Sequence, residues 1–255
     1  MNDFIAPDVG KLLDLHGLDS FEALWALQLN PVDEPNTERG GWSSVCRLEL
    51  KGDNADTETF YLKRQCNHQS LSWRRPLGEP TFAREWRNIY LYQQRGIPAL
   101  TAAFFAERNS AEGKQAVLMT RALDDYAPLS VYLEQWQQLP AERREQMLAC
   151  IGEAVAQLHG AGLTHHCLYP KHIYIALDQV EPVRFIDLEK TRTQLLVWRE
   201  RVADLDALLR RCKSWVEDDR ELFLREYLRG LSVQIPLSVL QKKLFRRHRN
   251  KTGQR

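Results

Sequence analysis

The side chains best suited to chemistry lie in residues 163–189, LTHHCLYPKHIYIALDQVEPVRFIDLE. Two apolar runs rich in β-branched residues, 172–177 and 183–187, flank a polar segment, which predicts two strands joined by a turn. His172 begins the first run and Asp187 ends the second. An imidazole and a carboxylate at one end of a hairpin can hold a metal ion. The spacing therefore predicts a metal site made of His172 and Asp187.

The register of this hairpin decides which side chains meet. We expect Leu177 to pair with Val183 across the turn. That register places Ile173 opposite Asp187, and His172 is then the neighbour of Asp187 at the open end. The preceding segment, THHCLYPK, is polar and contains a proline, so we expect a loop there.

This stretch resembles the catalytic loop and metal-binding segment of protein kinase-like folds, and more closely those of the lipopolysaccharide kinase (Kdo/WaaP) family, including its InaA-like branch. The usual pattern is His-Arg-Asp, four residues, Asn or His, and then a hairpin to a metal-binding Asp. His165, His172 and Asp187 stand at the matching positions. The resemblance implies an α+β, two-lobed kinase-like fold with a small β-rich N-lobe and a mainly helical C-lobe. It also implies ATP and Mg²⁺ as cofactors.

Three positions depart from the family pattern. Cys167 occupies the place of the catalytic aspartate, His166 that of the arginine, and Glu189 that of the glycine after Asp187. A thiol with an ordinary pKa of about 8.5 is mostly neutral at physiological pH, so it replaces aspartate poorly. His166 or His165 could accept the proton instead, because imidazole titrates near neutrality. The alternative for His165 is a packed structural role.

A lysine and a glutamate upstream fit the same fold. Lys63 lies in the alternating run ETFYLKRQ, which predicts a strand. Glu85 lies on the apolar side of a predicted helix that begins at a proline and ends at a glycine. Because carboxylates are rarely buried without a partner, we expect Lys63 to bind Glu85, as in kinases. The alternative is a pair between Glu85 and Arg84 or Arg87.

Further nucleotide contacts are expected in the predicted N-lobe. Gly40 and Gly41 precede a strand and could let backbone amides approach a phosphate, although a Gly-Gly pair is also typical of a hairpin turn. Residues 120–125 are the expected hinge between the lobes. In kinase-like folds the backbone of this segment holds adenine, which implies Met119 and Arg121 as nucleotide contacts.

The predicted division of the chain follows from these elements. Residues 1–119 form the N-terminal lobe with a helical lead-in, 120–125 the hinge, 126–241 the C-terminal helical lobe, and 242–255 a basic tail. A long helix from Pro140 to a glycine supports the catalytic loop.

The segment after Asp187 indicates the kind of acceptor. It contains no Ala-Pro-Glu motif and no long activation segment, which favours a small molecule or glycolipid over a protein. Arg201-Val-Ala-Asp204-Leu resembles the family's Arg-x-x-Asp-Leu, whose aspartate receives backbone amides of the catalytic loop. The alternative is an amphipathic helix on which Asp204 and Asp206 are solvated.

Composition and the tail bear on partners and location. The chain has 255 residues and a formal net charge of +1, and we expect no nucleic-acid partner. No apolar stretch is long enough to span a bilayer, no signal peptide is apparent, and the five cysteines are scattered, so we expect a cytoplasmic protein with reduced thiols. The basic tail is typical of a solvated end. It also suits peripheral contact with an anionic membrane, here the inner face of the inner membrane, or with a glycolipid.

Two functions remain open from the sequence. The first is an ATP-dependent phosphotransferase that acts on a sugar hydroxyl of the lipopolysaccharide core, heptose or Kdo. The second is a nucleotide-binding pseudokinase with a scaffolding or stress-related role, because Cys167 replaces the catalytic aspartate. Phosphoryl transfer depends mainly on positioning and charge neutralisation, and this favours the enzyme.

Overall fold

The computed structural model describes residues 3–37, 40–53, 56–72, 75–231 and 235–252. Contacts divide the chain into two compact units. The first contains Met1–Leu91 and Leu100–Asp124, and the second contains Tyr92–Ala99 and Asp125–Arg255. None of the helices in the described residues could span a bilayer.

The first unit is built on antiparallel strands. They are β1 (Phe4–Ile5), β2 (Trp42–Lys51), β3 (Thr57–Cys66), β4 (Gln69–Ser72), β5 (Arg75–Pro80), β6 (Ala102–Ser110) and β7 (Gly113–Arg121). Five of them form one sheet in the order β1-β6-β7-β3-β2, while β4 and β5 pair with each other. Alternation along β3 sends Phe60 and Leu62 to one face and Lys63 to the other.

Two short helices cover the apolar face of this sheet, α1 (Gly10–Leu15) and α2 (Phe21–Ala26). Leu13 and Leu24 from these helices pack with Phe60 of the sheet in one core cluster. Burial of a side chain of this kind stabilises the folded state by about 1.5–3 kcal/mol. The predicted helical lead-in is therefore part of the hydrophobic core of the first unit. Ser20 Oγ accepts the Ala23 N–H and caps α2, as the sequence predicts.

The second unit is mainly helical. Helix α3 (Thr81–Gln94) begins in the first unit, and its last residues, from Tyr92, belong to the second. The other helices of the second unit are α4 (Leu129–Glu134), α5 (Ala141–Gly160), α6 (Val197–Leu209), α7 (Glu217–Gly230) and α8 (Leu237–Thr252). Short 3₁₀ turns occupy Trp136–Gln138, Pro170–His172 and Leu188–Lys190. Its strands are β8 (Ala127–Pro128), β9 (Leu163–Thr164), β10 (Ile173–Ile175), β11 (Val183–Phe185) and β12 (Arg192–Thr193).

Helix α5 supports the loop that follows it, as its apolar spacing predicts. Met147, Ile151 and Val155 are fully buried along one face. A Cβ at Gly152 would lie 2.9 Å from the backbone nitrogen of Tyr227, so the glycine allows α5 and α7 to approach closely.

Two predicted boundaries differ from the structure. The expected hinge began at residue 120, but β7 pairs with β3 as far as Arg121, so the chain leaves the sheet only at Ala122. The expected tail began at residue 242, but that position lies inside α8, where the buried Leu240 anchors the helix. Residues 253–255 of the predicted tail lie outside the described residues.

Candidate active site

The ion pair that the sequence predicts in the first unit is present. Lys63 Nζ lies 2.6 Å from Glu85 Oε1, and the two side chains are 18% and 6% exposed. The alternative partner Arg87 instead binds Glu79 at 2.6 Å. The ammonium is thus held on the face of β3 opposite the core cluster, with its position set by the carboxylate.

A glutamine anchors the helix that carries Glu85. The fully buried Gln65 of β3 accepts the Phe82 N–H at 2.9 Å and the Thr81 hydroxyl at 2.8 Å through Oε1. These bonds satisfy groups at the N-terminus of α3 and hold the helix against β3. Glu85 follows by about one turn and therefore meets Lys63. Gln65 was not predicted as a site residue, because nothing in a strand pattern identifies a buried amide as a helix cap.

The glycine pair lies in a loop that closes an antiparallel pair. Asn36 and Ser43 exchange backbone hydrogen bonds of 2.9 and 2.8 Å on either side of it. Gly40 has φ +76°, and a Cβ at Gly41 would lie 2.2 Å from the carbonyl oxygen of Cys66. Both glycines are therefore required by the backbone itself. Contact of their amides with a phosphate stays a prediction.

Met119 and Arg121 do not present their side chains to a ligand. Met119 is fully buried in the core cluster. The Arg121 guanidinium binds Glu58 and, at 2.7 Å, Asp8, and it lies over the Phe60 ring. Strand β7 extends through both residues, which leaves their side chains in the core and in a surface ion-pair cluster. The expected contact with adenine is through the backbone of this segment, and it stays a prediction.

The hairpin of the second unit has a different register from the predicted one. Val183 pairs with Ile175 rather than with Leu177. The reason is a longer turn, closed by the Ala176 N–H and the Pro182 carbonyl at 2.9 Å. The shift by two residues keeps every side chain on its expected face.

His172 and Asp187 meet despite this shift. Asp187 follows β11 with φ 58° and ψ 55°, a left-handed conformation that is uncommon for a residue other than glycine. His172 Nε2 lies 3.2 Å from Asp187 Oδ2. The predicted neighbours are therefore in contact, with the Asp187 carboxylate 43% exposed.

The protonation of His172 indicates what this pair can bind. Its Nδ1 lies 2.8 Å from the carbonyl oxygen of Cys167, which can only accept, so Nδ1 carries the hydrogen. Burial lowers the pKa of His172 and outweighs the opposing charge of Asp187, which keeps the ring neutral near pH 7. Nε2 then turns a lone pair toward a carboxylate. Two acceptors at this distance fit a cation bound between them, and a second nitrogen fixed on a backbone carbonyl is usual for metal-binding histidines.

The protein supplies few ligands to such a cation. Among the described residues, no cluster of three or more His, Cys, Asp or Glu side chains could hold a metal ion. A divalent cation at His172 and Asp187 would complete its coordination with phosphate oxygens and water, as Mg²⁺ does in nucleotide sites.

His165 serves the loop rather than a reaction. The ring is fully buried. Nδ1 accepts the Cys167 N–H at 3.3 Å and Nε2 donates to the Ile186 carbonyl at 3.0 Å. Burial lowers the pKa of His165 against the charges of Asp204 and Asp187. With both nitrogens bound to backbone, His165 has no lone pair for a substrate hydroxyl, so its catalytic candidacy is replaced by the structural alternative.

Cys167 and His166 differ in accessibility. Cys167 is only 4% exposed, so the residue at the aspartate position turns little surface to solvent. His166 has φ 62° and is partly exposed. Of the three predicted catalytic candidates, His166 is therefore the most accessible.

Asp204 holds the loop in place. Its carboxylate accepts the backbone N–H groups of His165 at 2.6 Å and His166 at 2.9 Å, and His159 Nε2 lies 3.5 Å away. Burial raises the pKa of Asp204, but the hydrogen bond and charge of His159, the charge of His165 and its N–H together lower it below its usual value. The solvated alternative for Asp204 is wrong, and the bond to the loop that the family motif implies is present.

The class of fold follows from these two units. The first unit is an antiparallel sheet with a lysine–glutamate pair, and the second is a helical unit whose loop leads into a hairpin with the His172–Asp187 contact. These features are those of the protein kinase-like fold. A solved structure of WaaP in complex with acyl carrier protein superposes with a TM-score of 0.69 at 23% identity, covering 97% of this chain and 98% of that one. The crystal structure of aminoglycoside-3'-phosphotransferase of type VIII gives a TM-score of 0.51 at 14% identity, covering 85% and 92%.

The family is narrower than the fold. The profile of the lipopolysaccharide kinase (Kdo/WaaP) family matches residues 22–227, and the chain belongs to this family. Protein InaA of Escherichia coli strain K12 is 31% identical over 180 residues, covering 69% of this chain and 81% of that protein, which supports the InaA-like branch. The lipopolysaccharide core heptose(I) kinase WaaP of Pseudomonas aeruginosa is 25% identical over 235 residues, covering 84% and 82%.

Proposed function

We propose that the protein transfers phosphate from ATP to a sugar hydroxyl of the lipopolysaccharide core, heptose or Kdo. The observation that carries the proposal is the contact of His172 with Asp187, in which a neutral imidazole nitrogen and a carboxylate oxygen lie 3.2 Å apart. Family membership adds support, since a relative is named a core heptose kinase.

The proposed roles follow from what each side chain can do. Asp187 and His172 would hold Mg²⁺ through Oδ2 and Nε2. Bound there, the cation would neutralise charge on the phosphates of ATP. The ammonium of Lys63, held in place by its ion pair with Glu85, would bind phosphate oxygens of ATP.

The acceptor hydroxyl would be oriented by the catalytic loop. Asp204 fixes that loop through two backbone N–H groups. His166 is the candidate for accepting the hydroxyl proton, because the residue is partly exposed while Cys167 is buried. Its Nε2 is buried, so the accepting atom would be Nδ1. A loose transition state for phosphoryl transfer makes a modest demand on this base.

The proposed location rests on α8. Its outward face carries Lys242, Lys243, Arg246 and Arg249, and Phe245 is 67% exposed beside them. A basic helix with an aromatic anchor suits an anionic surface. We infer that the protein works in the cytoplasm, in peripheral contact with the inner face of the inner membrane.

A pseudokinase is the second candidate. The observation in its favour is Cys167, a buried thiol where the family pattern has an aspartate. Such a protein would bind ATP through Lys63, His172 and Asp187 without transferring phosphate.

The test is transfer of labelled γ-phosphate from ATP to a panel of core glycolipids in the presence of Mg²⁺, with Asp187→Ala as the control. The enzyme proposal predicts a labelled glycolipid with the wild type and none with the variant. Label in neither sample, together with ATP binding by the wild type, would favour the pseudokinase.

A further inference from the structure

A cavity of about 460 Å³ lies within the second unit, beside the catalytic loop. Its lining residues come from the loop, from α4 and from the segment after α6, and they include Glu134, Tyr169, Lys171, Arg211, Lys213 and Ser214. This volume is in the range of small-ligand sites.

The cavity is basic. Lys171, Arg211 and Lys213 supply three positive charges against the one carboxylate of Glu134. Within the described residues, no carboxylate lies within ion-pair distance of these three cations, although many other arginines of this chain are paired. Cations that share a concave surface without carboxylate partners repel one another and favour an anion among them.

One of these cations is already oriented. The Arg211 guanidinium lies over the Tyr169 ring, 3.8 Å from its centroid, and Nη1 donates to the Ala207 carbonyl at 3.0 Å. Stacking fixes the plane of the guanidinium and leaves donors at its edge, the geometry that binds a carboxylate or a phosphate.

The wall that carries Lys213 is also fixed. The Ser214 hydroxyl donates to the Leu133 carbonyl at 3.0 Å, and Gln137 Nε2 donates to the Ser214 carbonyl at 2.7 Å. These bonds tie the segment after α6 to α4 and to the 3₁₀ turn that follows α4, so the cavity has two anchored walls.

The position of the cavity relates it to the reaction. Tyr169, Pro170 and Lys171 lie in the chain between Cys167, at the catalytic position, and His172, at the metal position. A sugar held against them is held by the loop that would orient its hydroxyl.

We propose that this cavity binds an anionic sugar of the acceptor, one that carries a carboxylate or a phosphate, through Arg211, Lys213 and Lys171. The inference rests on the proposed function and deepens it, because it names the charge that the acceptor must carry. Nothing in the position of the metal pair or of Lys63 requires an anionic acceptor.

The experiment measures binding of a deacylated core oligosaccharide that bears Kdo carboxylates and phosphates, by calorimetry without nucleotide. Arg211→Gln/Lys213→Gln should weaken binding by about tenfold for each cation removed, since both bonds are charge-assisted. The matched control is Lys11→Gln/Lys51→Gln, which removes two exposed cations of the first unit and should leave the affinity within about twofold. Lys213→Gln alone, an exposed substitution, provides the test if the double variant does not fold.

Two probe arms identify the source of the charge. The same oligosaccharide after dephosphorylation and carboxyl reduction should bind wild type weakly and should not distinguish it from the double variant. Phosphatidylglycerol vesicles should bind the double variant as they bind wild type. Loss of vesicle binding with unchanged oligosaccharide binding would assign the cavity to a lipid headgroup and overturn the proposal.

The outcomes separate this inference from the proposed function. No oligosaccharide binding by wild type, or equal binding by wild type and the double variant, overturns the anionic-sugar site even if phosphate transfer is observed. Binding that the double variant loses, without transfer of phosphate from ATP, supports the site and contradicts the phosphotransferase.

Discussion

Lys63 Nζ lies 2.6 Å from Glu85 Oε1, and the glutamate is almost entirely withdrawn from solvent. A carboxylate in that position is stable only with a partner, so the pair both fixes the lysine and depends on it. Gln65, which binds the first turn of α3, sets the helix position that makes the contact.

Glu85→Ala should therefore affect both stability and nucleotide binding. We expect a loss of about 1–3 kcal/mol in the free energy of unfolding, measured by urea denaturation, because Lys63 loses its partner in a partly buried site. ATP affinity should fall by about tenfold or more. Arg47→Gln, which breaks an exposed pair with Asp124, is the control and should cost clearly less stability than Glu85→Ala, because solvent screens that pair. Equal small losses in both variants would contradict the role of the pair.

The proposed metal ligands Asp187 and His172 allow a graded prediction. Asp187→Ala should abolish the Mg²⁺ dependence of ATP affinity, measured by calorimetry with and without Mg²⁺, because the charged ligand is lost. His172→Ala should reduce that dependence less, because a neutral ligand is lost. An identical Mg²⁺ dependence in wild type and Asp187→Ala would remove Asp187 from the metal site.

The buried His159 predicts how stability depends on pH. Burial lowers its pKa against the opposing hydrogen bond and charge of Asp204, and the charge of Arg201 lowers it further. Its ring also bonds to the Tyr227 hydroxyl at 2.9 Å. Because the folded pKa lies below the ordinary value of about 6.5, its contribution is complete above pH 6.5 and is lost as pH falls from 6.5 through the folded pKa.

This loss can be measured by urea denaturation between pH 7.5 and pH 5. The slope due to His159 should approach about 1.4 kcal/mol per pH unit below 6.5. His159→Gln, which keeps a donor for Asp204, should lower the slope by that amount. An unchanged slope would show that His159 does not titrate with folding.

The basic face of α8 can be tested without deleting the helix. Removing residues 242–255 would take away the half-buried Leu244 and the contact of Arg247 with the buried Asp206 at 3.5 Å. A variant that removes only the charges replaces Lys242, Lys243, Arg246 and Arg249 with glutamine and keeps the packing contacts of the helix. It should weaken sedimentation with anionic vesicles at low salt by about 1 kcal/mol per charge and leave the circular dichroism spectrum unchanged. Equal sedimentation of variant and wild type would leave α8 as a packed helix only.

The parts of the fold that the sequence predicts are those with local or periodic causes. The helix of Glu85 and the strand of Lys63 follow from apolar spacing, and their contact follows from the need of a buried carboxylate for a partner. The register of the hairpin could not be predicted from the sequence, because the hydrogen bond between Ala176 and Pro182 that closes the turn depends on backbone geometry rather than on residue type.

Tertiary contacts account for the other differences. His165 stands at a family position, but only the structure shows that Cys167 and Ile186 occupy both of its ring nitrogens. The cavity lined by Arg211 and Lys213 was not predicted either. In the sequence these residues are part of a basic run, and such runs are usually solvated.

Cys167 stands at the position of the catalytic aspartate, and the central question is whether the protein nevertheless transfers phosphate. The most direct measurement is transfer of labelled phosphate from ATP to core glycolipids. We predict transfer by wild type and a rate with Cys167→Asp that is similar or higher. If His166 accepts the proton, His166→Ala should lower the rate, toward the small end of the about 10²–10⁴-fold typical of general acid–base groups, because the loose transition state asks little of the base. Tight ATP binding by wild type, with no labelled product from any acceptor and none after Cys167→Asp, would contradict the phosphotransferase.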